Sequence, residues 1–333
     1  MLADVRPILL VPYMWVGDFV RCHSVVKICK ERWPSRPIDV LTSELCAPLL
    51  EYMPGVRKGI VWDLPRRRLA LGEQRRLAAR LREEKYGTAL IMSRKWKAAL
   101  APALAGIPER VGFIGEMRYG LLTDARPGEK MLQRMIDRCA MLALPRDSAL
   151  PAYWPSPELV VPKQEISNWL MRRGLAGEKR PIVALCPGTV GPGRRWPESC
   201  YAELARLLKA DSVSVWVVGG PGEKTIANEI SAGGKYARDL TGTDLRDGIL
   251  AIAAADAAVA NDSGLLHVAA GIGIPVVGLY GPTSRWHDGP LNEVAVVIEA
   301  PWGGAEGDVR GRRMEDIPVD QVLAAVRKAL KRA

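Results

Sequence analysis

The chain has 333 residues, 48% of them hydrophobic, which is enough to bury large cores and too long for one ordinary domain. No apolar run is long enough to span a bilayer, no basic-then-apolar leader is expected at the start, and six cysteines without C-x-x-C spacing read as ordinary thiols of a reducing compartment. The net charge of +10 falls wholly in the first half: residues 1–150 carry 26 Lys and Arg against 16 Asp and Glu, the remainder 21 against 21. Such a basic half gathers anionic partners, either an anionic membrane or a phosphorylated substrate. Nucleic acid is not expected, because no recognised binding motif accompanies the charge.

The first half opens with Ile8–Pro12, a short buried strand, and runs through Tyr13–Asp18 into a helix expected over Phe19–Arg32. Gly17 lets the backbone turn, and Asp18 stands at the helix start, where an acidic residue is favoured as a cap whether or not it does chemistry. Further strands are expected at Ile38–Leu41, Gly59–Trp62, Ala89–Met92 and Arg110–Ile114, with helices between. Arg66–Arg68 form a basic loop, and Arg75–Arg82 a basic amphipathic helix whose arginines read as a solvated face. Pro151–Lys179, proline-rich and then helical, is a plausible crossover.

The second half restarts with the strand Pro181–Cys186, which enters the turn Pro187-Gly188-Thr189. Gly191–Pro197 then carries Arg194 and Arg195, and a helix follows through Lys209. A glycine-rich turn with a hydroxyl and two arginines suits a diphosphate; as a bare motif it could equally be a surface loop. Ser214–Gly220 is the next strand and runs into Gly219-Gly220-Pro221-Gly222-Glu223. A strand end follows at Asp239–Thr243. The strand Asp256–Ala260 leads into Asn261-Asp262-Ser263-Gly264, three good helix caps and a glycine, ahead of a buried helix over Leu265–Ile272. Pro275–Tyr280 closes that βαβ unit, whose polar turn lies at a strand's carboxyl end, where open α/β sheets bind anionic ligands. The last helix is expected over Val319–Lys331, amphipathic enough to pack back across the domains.

Asn261-Asp262-Ser263-Gly264-Leu265-Leu266-His267-Val268-Ala269-Ala270, followed by Gly278-Leu279-Tyr280-Gly281-Pro282-Thr283-Ser284, resembles the donor-site signature of the lipopolysaccharide heptosyltransferases, type II above all. These are GT-B glycosyltransferases that move heptose from ADP-heptose onto the inner core. Trp15-Val16-Gly17-Asp18 is similar to that family's N-terminal motif, whose Asp is its proposed catalytic base. Ser93–Leu100 and Arg110–Phe113 are similar to its acceptor-domain segments, and Pro187–Pro197 to its diphosphate turn, with Arg194 where lysine is usual. Phe19–His23 depart from the usual residues after the Asp, and Pro301–Arg313 lack the cysteine that many type II members carry there.

The resemblance implies an α/β fold of GT-B type, two doubly wound Rossmann-like domains facing a central cleft: 1–160 for the acceptor and 161–333 for the ADP-sugar. It implies inverting heptose transfer from ADP-L-glycero-D-manno-heptose to the lipid A–Kdo core. Asp18 would be the base; Thr189, Arg194, Arg195, Glu223, Thr243, Asp262, Ser263 and Gly264 would hold the donor, and Arg94, Lys95 and Lys97 the acceptor. His267 falls among the donor residues, with a structural, hydrogen-bonded role the preferred one. No Asp-x-Asp motif is present, so neither a metal nor a cofactor is expected. The partners would be the nucleotide-sugar donor and an anionic lipopolysaccharide precursor, and the location cytoplasmic, peripheral to the inner membrane. A GT-B nucleotide-sugar epimerase and a non-catalytic nucleotide-sugar-binding protein are the alternatives. Asp18→Asn is expected to leave folding nearly unchanged, because asparagine keeps the shape and can cap a helix.

Overall fold

The computed structural model describes residues 4–63, 70–231, 234–301, 304 and 308–331. The Arg66–Arg68 loop and part of the Pro301–Arg313 segment lie outside the described residues. The chain divides into two compact units, Met1–Ser156 and Pro157–Ala333.

In chain order the first unit holds β1 (Ile8–Val11), α1 (Val16–Arg32), β2 (Ile38–Thr42), α2 (Ala47–Leu50), β3 (Lys58–Val61) and α3 (Leu71–Glu83). It continues with β4 (Thr88–Ile91), α4 (Trp96–Leu104), β5 (Glu109–Phe113), β6 (Asp124–Arg126) and α5 (Met135–Ala140). The strand order is β3-β2-β1-β4-β5-β6, and all the pairings are parallel. β1 and β4 are buried along their whole length, as unbroken apolar strands covered on both faces must be. On α3 the buried residues Gln74, Leu77, Ala78 and Leu81 recur at helical spacing, which turns Arg75, Arg76, Arg80 and Arg82 outward.

The second unit runs α6 (Lys163–Arg172), β7 (Ile182–Cys186), α7 (Glu198–Ala210), β8 (Ser214–Val217), α8 (Lys224–Ser231), β9 (Arg238–Asp239) and α9 (Leu245–Ala254). It ends with β10 (Ala257–Asn261), α10 (Gly264–Ile272), β11 (Val276–Tyr280), α11 (Arg285–Asp288), β12 (Ala295–Glu299) and α12 (Val319–Leu330). Its order, β12-β11-β10-β7-β8-β9, repeats the first sheet's plan strand for strand. Trp196, Tyr201, Leu204 and Leu208 share one core with Val322 and Val326, so the final helix is fixed on its own unit's sheet. The Trp196 ring meets Tyr201 edge-on with centroids 4.9 Å apart, and its Nε1 donates to the Ile317 carbonyl at 3.1 Å.

Several boundaries differ from the sequence reading. α1 begins at Val16, with Trp15 as its extended N-cap, so Asp18 lies inside the first turn and does not cap it. The strand that begins at Ser214 ends at Val217, before the Gly219-Gly220 turn. Residues 151–162 form no regular element, and the following helix covers only Lys163–Arg172. β6 and β12, both sheet edges, were not anticipated.

Candidate functional site

A doubly wound sheet opens a crevice where its strand order reverses. In the first unit that point lies between β1 and β4; Asp18 stands in the first turn of the helix that follows β1, and Ser93–Lys97 lead from β4 into the start of α4. Asp18 pairs with Arg21, one turn along α1; their side chains are 15% and 5% exposed. Tyr13 and Cys139 lie in the same surroundings. Burial, with Cys139, Glu129 and Asp18 adding to it, pushes the Tyr13 phenol up. Burial and then the Asp18 carboxylate push the Cys139 thiol up to about 12. Arg94 forms an ion pair with the buried Glu129 at 3.0 Å, Lys95 is the exposed N-cap of α4, and the Lys97 carbonyl accepts from Gln74 Nε2 at 3.3 Å.

In the second unit the reversal lies between β7 and β10. The loop after β7 and the turn after β10 are tied together there by side chains. Asn261 donates through Nδ2 to the Pro187 carbonyl at 2.7 Å and accepts from the Trp196 amide at 3.1 Å. Thr189 Oγ1 donates to the Asp262 carbonyl at 3.0 Å, and Arg194 forms an ion pair with the Asp262 carboxylate while also donating to the Val190 carbonyl at 3.2 Å. Asp262 is therefore not a helix cap. The cap of α10 is Ser263, whose hydroxyl makes no capping bond and is buried without a hydrogen-bond partner among the described residues. Arg194 Nε is likewise buried without one. A helix N-terminus, an unengaged hydroxyl and a held guanidinium at one strand end form a donor set that can hold a diphosphate.

Glu223 folds over this corner from the next strand end. A Cβ built on Gly188 would lie 3.0 Å from its carboxyl group, and one on Gly219 would meet its side chain at the same distance. Both glycines thus leave room for a carboxylate. Thr243 is half-buried in the turn before α9, next to Asp244, which caps that helix by accepting from the Asp247 amide at 2.9 Å. Beside that turn, Asp239 accepts from Thr241 N at 2.8 Å and Oγ1 at 2.6 Å and pairs with Lys224 at 2.9 Å. Burial works to raise its carboxyl pKa, but the bonds from Thr241 and Lys224 outweigh it and hold the group below the usual carboxylate range. Arg195 turns outward to Glu198 at 3.7 Å, apart from the knot that holds Arg194. Gly264 opens α10, and His267 is buried one turn further on.

Sequence reasoning missed two residues. Asn261 ties the loops together while sitting at the end of a strand, where it had been read only as a cap. Arg21 was passed over, although an arginine three residues after an acid on a helix is the spacing of an ion pair.

Two doubly wound units of this strand order, each with polar groups gathered at its switch point, define the fold as GT-B type. The chain belongs to glycosyltransferase family 9 (heptosyltransferase), whose signature it matches over residues 74–316. It is 40% identical over 307 residues to lipopolysaccharide heptosyltransferase 2 of Salmonella typhimurium, covering 87% of each chain. It is 34% identical to lipooligosaccharide heptosyltransferase 2 of Haemophilus ducreyi, over 97% of this chain and 99% of that one. The solved structure of E. coli ADP-heptose lps heptosyltransferase II superimposes with a TM-score of 0.86 at 36% identity, over 98% and 99% of the two chains.

Proposed function

We propose that this chain is an inverting heptosyltransferase that moves heptose from ADP-L-glycero-D-manno-heptose onto the lipid A–Kdo inner core of lipopolysaccharide. Heptose transfer to the inner core is supported by type 2 relatives matched along most of their length. The observation that carries the donor assignment is the knot of Thr189, Arg194, Asp262 and the α10 N-terminus at the second sheet's switch point.

In the reaction the acceptor hydroxyl oxygen bonds to the anomeric carbon as the bond from that carbon to the β-phosphate oxygen breaks, and ADP leaves. Asp18 takes the hydroxyl proton. Arg194, the Thr189 and Ser263 hydroxyls and the first amides of α10 stabilise the charge gathering on the leaving diphosphate. Glu223 holds the ribose hydroxyls, and the turn through Thr243 lies against the base. Arg94, Lys95 and Lys97 meet phosphorylated acceptor from the first unit. Among the described residues no helix is long and apolar enough to cross a membrane; the enzyme works at the cytoplasmic face of the inner membrane, held there by its basic half.

Incubation with ADP-heptose and a heptose-deficient core acceptor tests the reading. Heptosylated core is the expected product. Isomerised donor without transfer would show an epimerase, and donor binding without turnover a binding protein.

A further inference from the structure

One corner of the first unit sets exposed apolar side chains among cations, and the roles assigned above do not use the apolar ones. After β5 the chain turns through 114–120 before β6. In that turn Met117 is 88% exposed and Tyr119 76%, while Arg118 between them is only 2% exposed. The alternation is fixed from below. Arg118 donates through Nε to the Phe113 carbonyl at 3.0 Å and through Nη1 to the Ser93 carbonyl at 2.5 Å, and the Trp96 amide donates to Glu116 Oε2 at 3.3 Å. Glu116 and Met117 both hold positive φ, 34° and 51°, a conformation that costs residues with side chains. The anchoring therefore holds Met117 and Tyr119 outward against a backbone cost.

Met131, 83% exposed, stands on the 3-10 turn Glu129–Met131, which Glu129 joins to the same corner through its pair with Arg94. Arg94, Lys95 and Lys130 are exposed on these turns. A single exposed apolar residue needs no explanation. Three large ones on linked turns, set among three cations in the half that carries the whole charge excess, make up an amphipathic surface.

The geometry points to this corner as the contact with an anionic lipid surface: Met117, Tyr119 and Met131 enter at headgroup depth, and Lys130 lies against lipid phosphates beside the acceptor cations Arg94 and Lys95. Tyrosine and methionine suit that boundary, where one end of a side chain is dry and the other wet. The inference rests on the reading that the acceptor is membrane-borne.

The test uses the full chain and a Met117→Ser/Tyr119→Ser/Met131→Ser variant, which leaves every cation in place. Co-sedimentation is measured with phosphatidylethanolamine–phosphatidylglycerol vesicles and with phosphatidylcholine vesicles. The parent should bind the anionic vesicles only, and the variant about tenfold or more weakly. Transfer to vesicle-embedded acceptor should fall in parallel, while transfer to detergent-dispersed acceptor stays within about twofold. Parental vesicle binding by the variant, or equal parental binding to both vesicle types, overturns the proposal. So does loss of transfer to dispersed acceptor by the variant, which would make these residues acceptor contacts, and so does a parent that ignores vesicles and binds an acidic protein there. A parent that binds anionic vesicles through these residues but transfers no heptose would refute the functional reading and leave the surface intact. Met117→Ser alone serves as the control for folding.

Discussion

Asp18→Asn tests more than the proposed base, because the structure alters what the substitution should do. Read from sequence, asparagine keeps the shape and leaves folding alone. In the fold Asp18 faces Arg21, whose side chain is 5% exposed, and Asp18 itself is 15% exposed. Removing one member of a buried ion pair costs about 3–5 kcal/mol, because the other charge stays in a poorly solvated place. The remaining exposure of Asp18 brings this to about 2–3 kcal/mol. At about 2–4 °C per kcal/mol for a unit of this size, the Asn variant should melt about 4–12 °C below the parent.

Transfer should fall at least about a hundredfold, the usual worth of a positioned general base. Arg21→Met separates the two effects. Replacing both members of a buried pair with uncharged side chains is often neutral or better, so the double variant should regain the parental melting temperature and stay as slow as Asp18→Asn. Arg21→Met alone keeps the carboxylate and should transfer within about tenfold of the parent. Thermal melts, single-turnover transfer and an ADP-heptose titration on all four proteins decide it, with donor affinity within a few-fold throughout. Near-parental transfer by Asp18→Asn would reduce the residue to an ion-pair partner. A double variant that melts no higher than Asp18→Asn would refute the buried-charge argument.

Gly188→Ala places a methyl about 3.0 Å from the Glu223 carboxyl group and should push that side chain off the strand end, weakening ADP about tenfold by calorimetry; unchanged affinity would remove Glu223 from the donor site. Asp239 has a folded pKa below its unfolded one, so its contribution is present at neutral pH and lost as pH falls from about 4 through the lowered folded value. Asp239→Asn should therefore be less stable than the parent at pH 7 and converge with it in acid, as parallel denaturant titrations would show; an unchanged gap at pH 3 would refute the linkage.

The fold was legible because its central strands are unbroken apolar runs between glycine and proline turns, as Ile8–Val11 and Val276–Tyr280 are. Of the four edge strands, β6 and β12 were not. Asp124-Ala125-Arg126 is paired on one side only, has too few apolar residues to show a period, and pairs Arg126 with its own Asp124 at 2.8 Å. At the site, the residue types at each strand end could be read, but their partners could not. Asp262, Asn261 and Ser263 are interchangeable as caps in sequence. Only the loop arriving from β7, more than sixty residues earlier, makes Asp262 an arginine partner, Asn261 a brace and Ser263 the one with an unengaged hydroxyl. The spacing of Arg21 from Asp18 is readable, but its burial is not: that comes from the packing around α1 and not from its own segment.

The two sheets share one strand order, so the difference between the units must come from what each switch point is given. In the second unit the strands are followed by a glycine-rich loop braced by Asn261 and by a helix that starts at once with Gly264, leaving amides and a guanidinium at the strand end. On the proposed reading that is an anion site built mostly from backbone, and such a site asks little of net charge; residues 151–333 balance 21 cations against 21 anions. The first unit has no comparable turn after β1. Trp15 caps α1 and the first acidic group after β1 is Asp18 inside the helix, paired with Arg21 on its own element, whereas the Asp262 carboxylate at the other switch point is paired with Arg194 beside the first amides of α10. A carboxylate there cannot attract an anionic acceptor. On the proposed reading the attraction comes from side chains on neighbouring loops, in the half that carries the ten surplus positive charges. If the proposed roles hold, the charge asymmetry and the difference between the two switch points have one cause: a proton acceptor and an anion receptor on the same unit must be made from different residues, whereas a diphosphate site can be made largely from the fold.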